Sequence, residues 1–111
     1  MNIKSIEDFY NHEYNNRELI PDFPEYIAQM KSLSVKAQSK LKARLDISYA
    51  DDQTNHSSDQ TFDLFPAKNG NKKSPLMVFI HGGFWRALDK ADHSFVAPVF
   101  VKENISVAVP N

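Results

Sequence analysis

The chain has 111 residues, with 13 Lys and Arg against 14 Asp and Glu mixed along its length and a formal net charge of −1. That length holds at most one domain, and a small one for a layered α/β architecture, while the balanced charge gives no electrostatic reason to expect a nucleic-acid or anionic-membrane partner. With no cysteine present, disulfides, thiolate catalysis and cysteine-ligated metal are all excluded.

Lys4, Glu7, Asp8, Glu13, Arg17, Glu18, Asp22 and Glu25 interrupt the first thirty residues, so no secretory h-region fits among them. The apolar runs elsewhere fall far short of the ~20 residues a membrane span needs, and a soluble, cytoplasmic protein is the expectation. Ser5 followed by Asp8 is a capping pattern, with Ile6, Phe9 and Tyr10 on one face beyond it, which predicts a short helix over 5–12. Asn15, Asn16, Pro21 and Pro24 break any period across 14–23, an ordered loop. Pro24 suits the first turn of a second helix. Ile27, Met30, Leu33, Ala37, Leu41 and Leu45 then recur at helical spacing, predicting an amphipathic helix to about Arg44 whose apolar stripe is a packing face.

Residues 46–50 and 61–66 read as short strands. Ile47 and Tyr49 alternate with polar residues, as do Phe62 and Leu64, which suggests an antiparallel pair. The polar segment 51–60 between them carries Asp51, Asp52 and Asp59 but lacks the glycine and terminal glutamate of a calcium loop, so it reads as solvated acidic surface. Asn69-Gly70 marks a turn. Leu76, Met77, Val78, Phe79 and Ile80 follow Pro75 as an uninterrupted apolar run, too short for a helix and read as a buried parallel strand. Asp89, Asp92 and Ser94 offer helix-start chemistry, and Pro98 requires regular helix to begin near Ser94 or bend there. A β-branched strand over 105–109 completes a strand-helix-strand unit, expected to be parallel and right-handed.

The stretch that organises this pattern is LMVFIHGGFW at 76–85. Two glycines after a buried strand allow a sharp turn with exposed N–H groups, at the end of the sheet where α/β proteins bind ligands. Paired N–H donors there suit an oxygen that gains negative charge during acyl transfer. HGGFW resembles the H-G-G-x-W oxyanion motif of the arylformamidase (kynurenine formamidase) branch of the α/β-hydrolases. YNNR at 14–17, PDFP at 21–24, DLFPA at 63–67, WRALDK at 85–90 and SFVAP at 94–98 resemble that branch as well. Phe84 stands where tyrosine is frequent, a departure that leaves a backbone role untouched.

The resemblance implies an incomplete α/β-hydrolase fold within one domain, 1–111: a helical segment over 1–45, then an antiparallel strand pair and one parallel crossover over 46–111. It implies a metal-free, cofactor-free serine hydrolase acting on a small acyl substrate, N-formylkynurenine being the family's. The alternatives are a carboxylesterase- or lipase-like hydrolase, or a catalytically silent truncated product. Gly83 and Phe84 are carried over as oxyanion-hole donors; the other reading is that Gly82-Gly83 is only a strand-to-loop turn. His81 reads as structural, because the family's catalytic histidine lies much later in the chain, and Trp85 either packs under the loop or lines the acyl pocket.

No G-x-S-x-G turn occurs, so the chain holds no nucleophile elbow, and the family's nucleophile, acid and base are expected beyond Asn111. His12, His56 and His93 lack metal-ligand spacing, and Ser57, Ser58 and Ser94 read as caps or surface. These residues therefore resemble roughly the first two-fifths of a hydrolase of about 250–300 residues, and the isolated chain is expected to be an inactive fragment. In the family's strand order, 105–109 lies between 61–66 and 76–80, leaving 76–80 as a bare apolar edge open to self-association.

Overall fold

The computed structural model describes residues 4–51, 59–70, 73–83 and 87–111. Phe84 and Trp85, together with Asp52, His56, Ser57 and Ser58, lie outside the described residues. The elements run α1 (Ile6–Glu13), α2 (Asn16–Leu19), α3 (Phe23–Lys40), β1 (Arg44–Ser48), β2 (Thr61–Phe65), β3 (Leu76–Val78), a 3₁₀ segment (Lys90–Val96), α4 (Ala97–Val101) and β4 (Ser106–Pro110). The four strands form one mixed sheet in the order β1-β2-β4-β3, with β3 and β4 parallel and the other pairs antiparallel. This is the antiparallel pair and parallel crossover expected from the sequence, with β3 at the edge.

Local chemistry accounts for most boundaries. Ser5 caps α1 by accepting a hydrogen bond from the Asp8 N–H at 3.0 Å. Pro24 occupies the first turn of α3, where its missing N–H costs nothing. The loop expected over 14–23 instead contains α2, a single turn held by Leu19 N–H to Asn15 O at 3.2 Å and Ile20 N–H to Asn16 O at 3.2 Å. Helix α3 stops at Lys40 rather than near Arg44, because Leu41 turns extended and Arg44 begins pairing with Leu64. Sheet pairing overrides a helical propensity that is only a weak prior.

The buried stripe of α3 also differs from expectation. Ser34 and Ala37 are buried, while Leu33 is exposed and Leu45 is exposed on β1. The reason is the partner: α3 packs on the 3₁₀ segment, whose backbone supplies hydrogen-bonding groups. The Ser34 hydroxyl donates to Asp92 O at 2.7 Å and accepts from the Phe95 N–H at 3.1 Å. Gln38 Nε2 donates to Ala91 O at 3.2 Å and to the buried Ser94 Oγ at 2.8 Å. A leucine at position 34 would leave those groups without partners.

The core gathers Phe65 of β2, Ala97 and Val101 of α4, and Val107 and Val109 of β4, with Leu41, Ala43, Met77, Phe79, Val96 and Phe100 against it. On β2 the buried residues are Thr61, Asp63 and Phe65, not the apolar alternates Phe62 and Leu64, which are half-buried. The run 76–80, read as a buried strand, pairs regularly only over Leu76–Val78, with Leu76, Val78 and Ile80 exposed. Among the described residues its one paired neighbour is β4, so much of its apolar surface lies at the sheet margin.

Candidate functional site

The parallel strands β3 and β4 end side by side, and their carboxyl ends open onto a cleft of about 930 Å³. Ile80, His81 and Gly82 beyond β3 form one wall, Pro110 and Asn111 at the end of β4 another, and Leu88 and Asp89 a third. This is where the open α/β sheet concentrates its ligand sites. The cleft therefore joins His81 and Gly82, both singled out in the sequence, to Asn111 and Asp89, which the sequence did not mark as site residues.

Gly83 sits at a bend just past the cleft wall, with φ +133°. A Cβ built there would collide with the carbonyl oxygen of Ala87, so only glycine fits. Its own carbonyl accepts from the Ala87 N–H at 3.2 Å. The Gly83 N–H meets no acceptor among the described residues. Gly82, by contrast, has open space where a side chain would stand.

His81 holds the turn from the strand side. Its Nδ1 lies 2.8 Å from Gly82 O and its Nε2 3.1 Å from Asn111 Oδ1. The Gly82 carbonyl belongs to the same rigid peptide plane as the Gly83 N–H, so the ring contact bears on where that donor points. The ring also stacks on buried His93, with centroids 4.9 Å apart and planes within 14°. His93 in turn donates from Nδ1 to Asp89 O at 3.0 Å, because a carbonyl can only accept.

Asp89 begins the 3₁₀ segment with a capping box. Its Oδ1 accepts from the Ala91 N–H at 2.9 Å, and its own N–H donates to Asp92 Oδ2 at 3.1 Å. Asp89 Oδ2 is left to accept from Asn111 Nδ2 at 3.0 Å. Asn111 Oδ1 also accepts from the Lys90 N–H at 3.1 Å, and the Asn111 N–H donates to Thr61 O at 3.0 Å. One side chain at the end of β4 thus touches His81 and the 3₁₀ start, while its backbone is tied to β2.

Directly behind lies a charge cluster in which Lys90 and Asp63 are buried and the Asp46 side chain is 74% exposed. Lys90 Nζ donates to Asp63 Oδ1 at 2.9 Å and to Asp46 Oδ1 at 2.6 Å, with the Lys90 and Asp63 side chains 6% and 1% exposed. Asp63 Oδ1 accepts a second bond from the Asp46 N–H at 2.9 Å. Asp46 has φ 56°, at a register shift between Arg44 and Ile47 that aims its backbone at Asp63; aspartate tolerates this left-handed conformation better than most residues. Burial alone would depress the Lys90 pKa, but the hydrogen bonds and charges of Asp46 and Asp63 outweigh it and raise the amine above its ordinary 10.5. Among the described residues no three His, Asp or Glu side chains form a group able to hold a metal ion, and no helix is long and apolar enough to cross a membrane.

No established family profile matches the chain. Among curated proteins it is similar to kynurenine formamidase from Danio rerio, 26% identical over 85 residues that cover 76% of this chain and 27% of that protein. Among solved structures it superposes on a protein from Silicibacter sp. TM1040 provisionally assigned as a thioesterase, with a TM-score of 0.70 and 29% identity. That match covers 88% of this chain and 36% of the other. The chain thus spans about a quarter to a third of the length of the proteins it matches.

Proposed function

We propose, on the premise that this chain is a distant homologue of kynurenine formamidase built on part of an α/β-hydrolase fold, that its glycine turn is the oxyanion-stabilising element of an acyl hydrolase. The observation that carries the reading is Gly83: a backbone only glycine can adopt, placed past the carboxyl end of a parallel strand, with an N–H that no described residue claims. The N–H groups of Gly83 and Phe84 would receive the oxygen of a tetrahedral intermediate, each worth ~2.7–4 kcal/mol of transition-state stabilisation. His81 and Trp85 would hold and flank the turn. The 111 residues contain no nucleophile elbow, so serine, acid and base would come from sequence other than this, and these residues alone are inactive.

The preferred substrate class is an aryl formamide, N-formylkynurenine by analogy with the relative. The structural neighbour's assignment favours a second reading, hydrolysis of an acyl thioester or ester, which would use the same oxyanion turn. The bare β3 edge is the surface through which the isolated chain would self-associate.

Formate, a carboxylate small enough for an oxyanion site, tests the turn without a nucleophile. Titrated into ¹⁵N-labelled chain against chloride at equal ionic strength, it should shift the Gly83 and Phe84 amides first. Shifts confined to lysine-rich α3 would refute the reading. A serine-directed fluorophosphonate should leave the chain unlabelled. Comparing formylkynurenine, a p-nitrophenyl ester and an acyl thioester as substrates, in a polypeptide joining these residues to a G-x-S-x-G segment, separates the substrate classes.

A further inference from the structure

We infer that Asn111 is the positioning residue of the His81 ring beside the glycine turn, fixing its tautomer, an assignment that rests on reading Gly82-Gly83 as an oxyanion element. The orientation of the Asn111 amide is fixed by two partners with opposite demands. The Lys90 N–H can only donate and therefore meets Oδ1; the Asp89 carboxylate accepts and therefore meets Nδ2. Reversing the amide would set donor against donor at Lys90 and acceptor against acceptor at Asp89. The carbonyl oxygen is consequently the atom presented to His81 Nε2.

On its other side the His81 ring faces Gly82 O, the carbonyl of the peptide that carries the Gly83 N–H. The ring lies between Asn111 and that peptide plane, with His93 stacked on its face. Asn111 itself is anchored to the 3₁₀ start through Asp89 and Lys90 and to β2 through Thr61 O. Both atoms that face the ring are acceptors, and a neutral ring carries one N–H, serving one of them at a time. The share of the Nε2–H form of His81 therefore reports whether Asn111 is in place.

The test uses the ¹⁵N-labelled 111-residue chain at about pH 8, where an ordinary imidazole is neutral. Asn111→Ala removes the acceptor, so the Nε2–H share of His81 should fall. Asn111→Asp should do the same, because its carboxylate opposes that of Asp89. Asn111→Asp combined with Asp89→Asn restores the tautomer: the new carboxylate accepts from Lys90 and His81, and the new amide donates back while its oxygen still caps Ala91. Cross-strand amide signals of β2 and β4 report folding in each variant. An unchanged His81 tautomer in Asn111→Ala, or a folded double variant that fails to recover it, overturns the assignment. A wild-type chain whose Gly83 ignores formate sinks the acyl-hydrolase reading instead, while the tautomer measurement still decides the role of Asn111.

Discussion

Lys90 Nζ lies 2.9 Å from Asp63 Oδ1 in a setting where neither side chain is more than 6% exposed. The pair joins the 3₁₀ segment to β2, and through Asp46 to β1. Removing one partner strands the other charge away from water. Lys90→Met should therefore destabilise the chain by about 3–5 kcal/mol, while Lys90→Met with Asp63→Leu should recover most of that loss. Urea unfolding of the two variants checks the contrast; equal stability of the single and double variants would contradict it.

The same pair has a pH signature. The Lys90 amine binds its proton more tightly folded than unfolded, so its contribution is complete below the unfolded value near 10.5. It is lost as pH rises above that value and through the higher folded one. Thermal melts in alkaline buffers should show a fall in Tm beginning above about 10.5 that Lys90→Met lacks.

Gly83→Ala and Gly82→Ala should behave oppositely although the residues are adjacent. The first meets the Ala87 carbonyl and carries φ +133°; the second meets open space. Gly83→Ala should cost about 1–3 kcal/mol of local strain and abolish the formate response, while Gly82→Ala should leave stability near wild type. Amide exchange around 80–83 together with the formate titration distinguishes them.

The exposed β3 edge should make association depend on concentration. Val78→Lys places a charge on the edge without touching the buried core and should shift sedimentation toward monomer. A wild-type chain that stays monomeric across the concentration range would show that the edge is protected in solution.

The sheet was largely legible before its coordinates because its signals are local. Pro75 and the glycine pair bracket the apolar run of β3, the β-branched residues of 105–109 mark β4, and the family strand order placed β4 inside β3. What escaped was set by pairings between distant residues. Asp63 and Lys90 are 27 positions apart, and each looks like ordinary surface charge until the fold buries both. Ser34 lies outside the apolar stripe that the spacing marks, because its partner is the backbone of residues 92 and 95. Asn111 carried no signal at all: its neighbours in sequence are strand, and its importance comes from where β4 ends. The glycines of the turn were visible, but the collision that makes Gly83 irreplaceable involves a carbonyl four residues away.

The polar seam between α3 and the 3₁₀ segment bears on how the chain emerges from a ribosome. Gln38 waits for a carbonyl 53 residues downstream, and Ser34 for one 58 residues downstream. At ~5–20 residues per second, α3 is out roughly 3–10 s before its binding surface exists. During that interval the Ser34, Ala37 and Gln38 part of its inner side presents a hydroxyl, a methyl and an amide, with Ile27 and Met30, half-buried in the fold, in the turns before it. A helix that must linger unaccompanied is thus given a face that water tolerates.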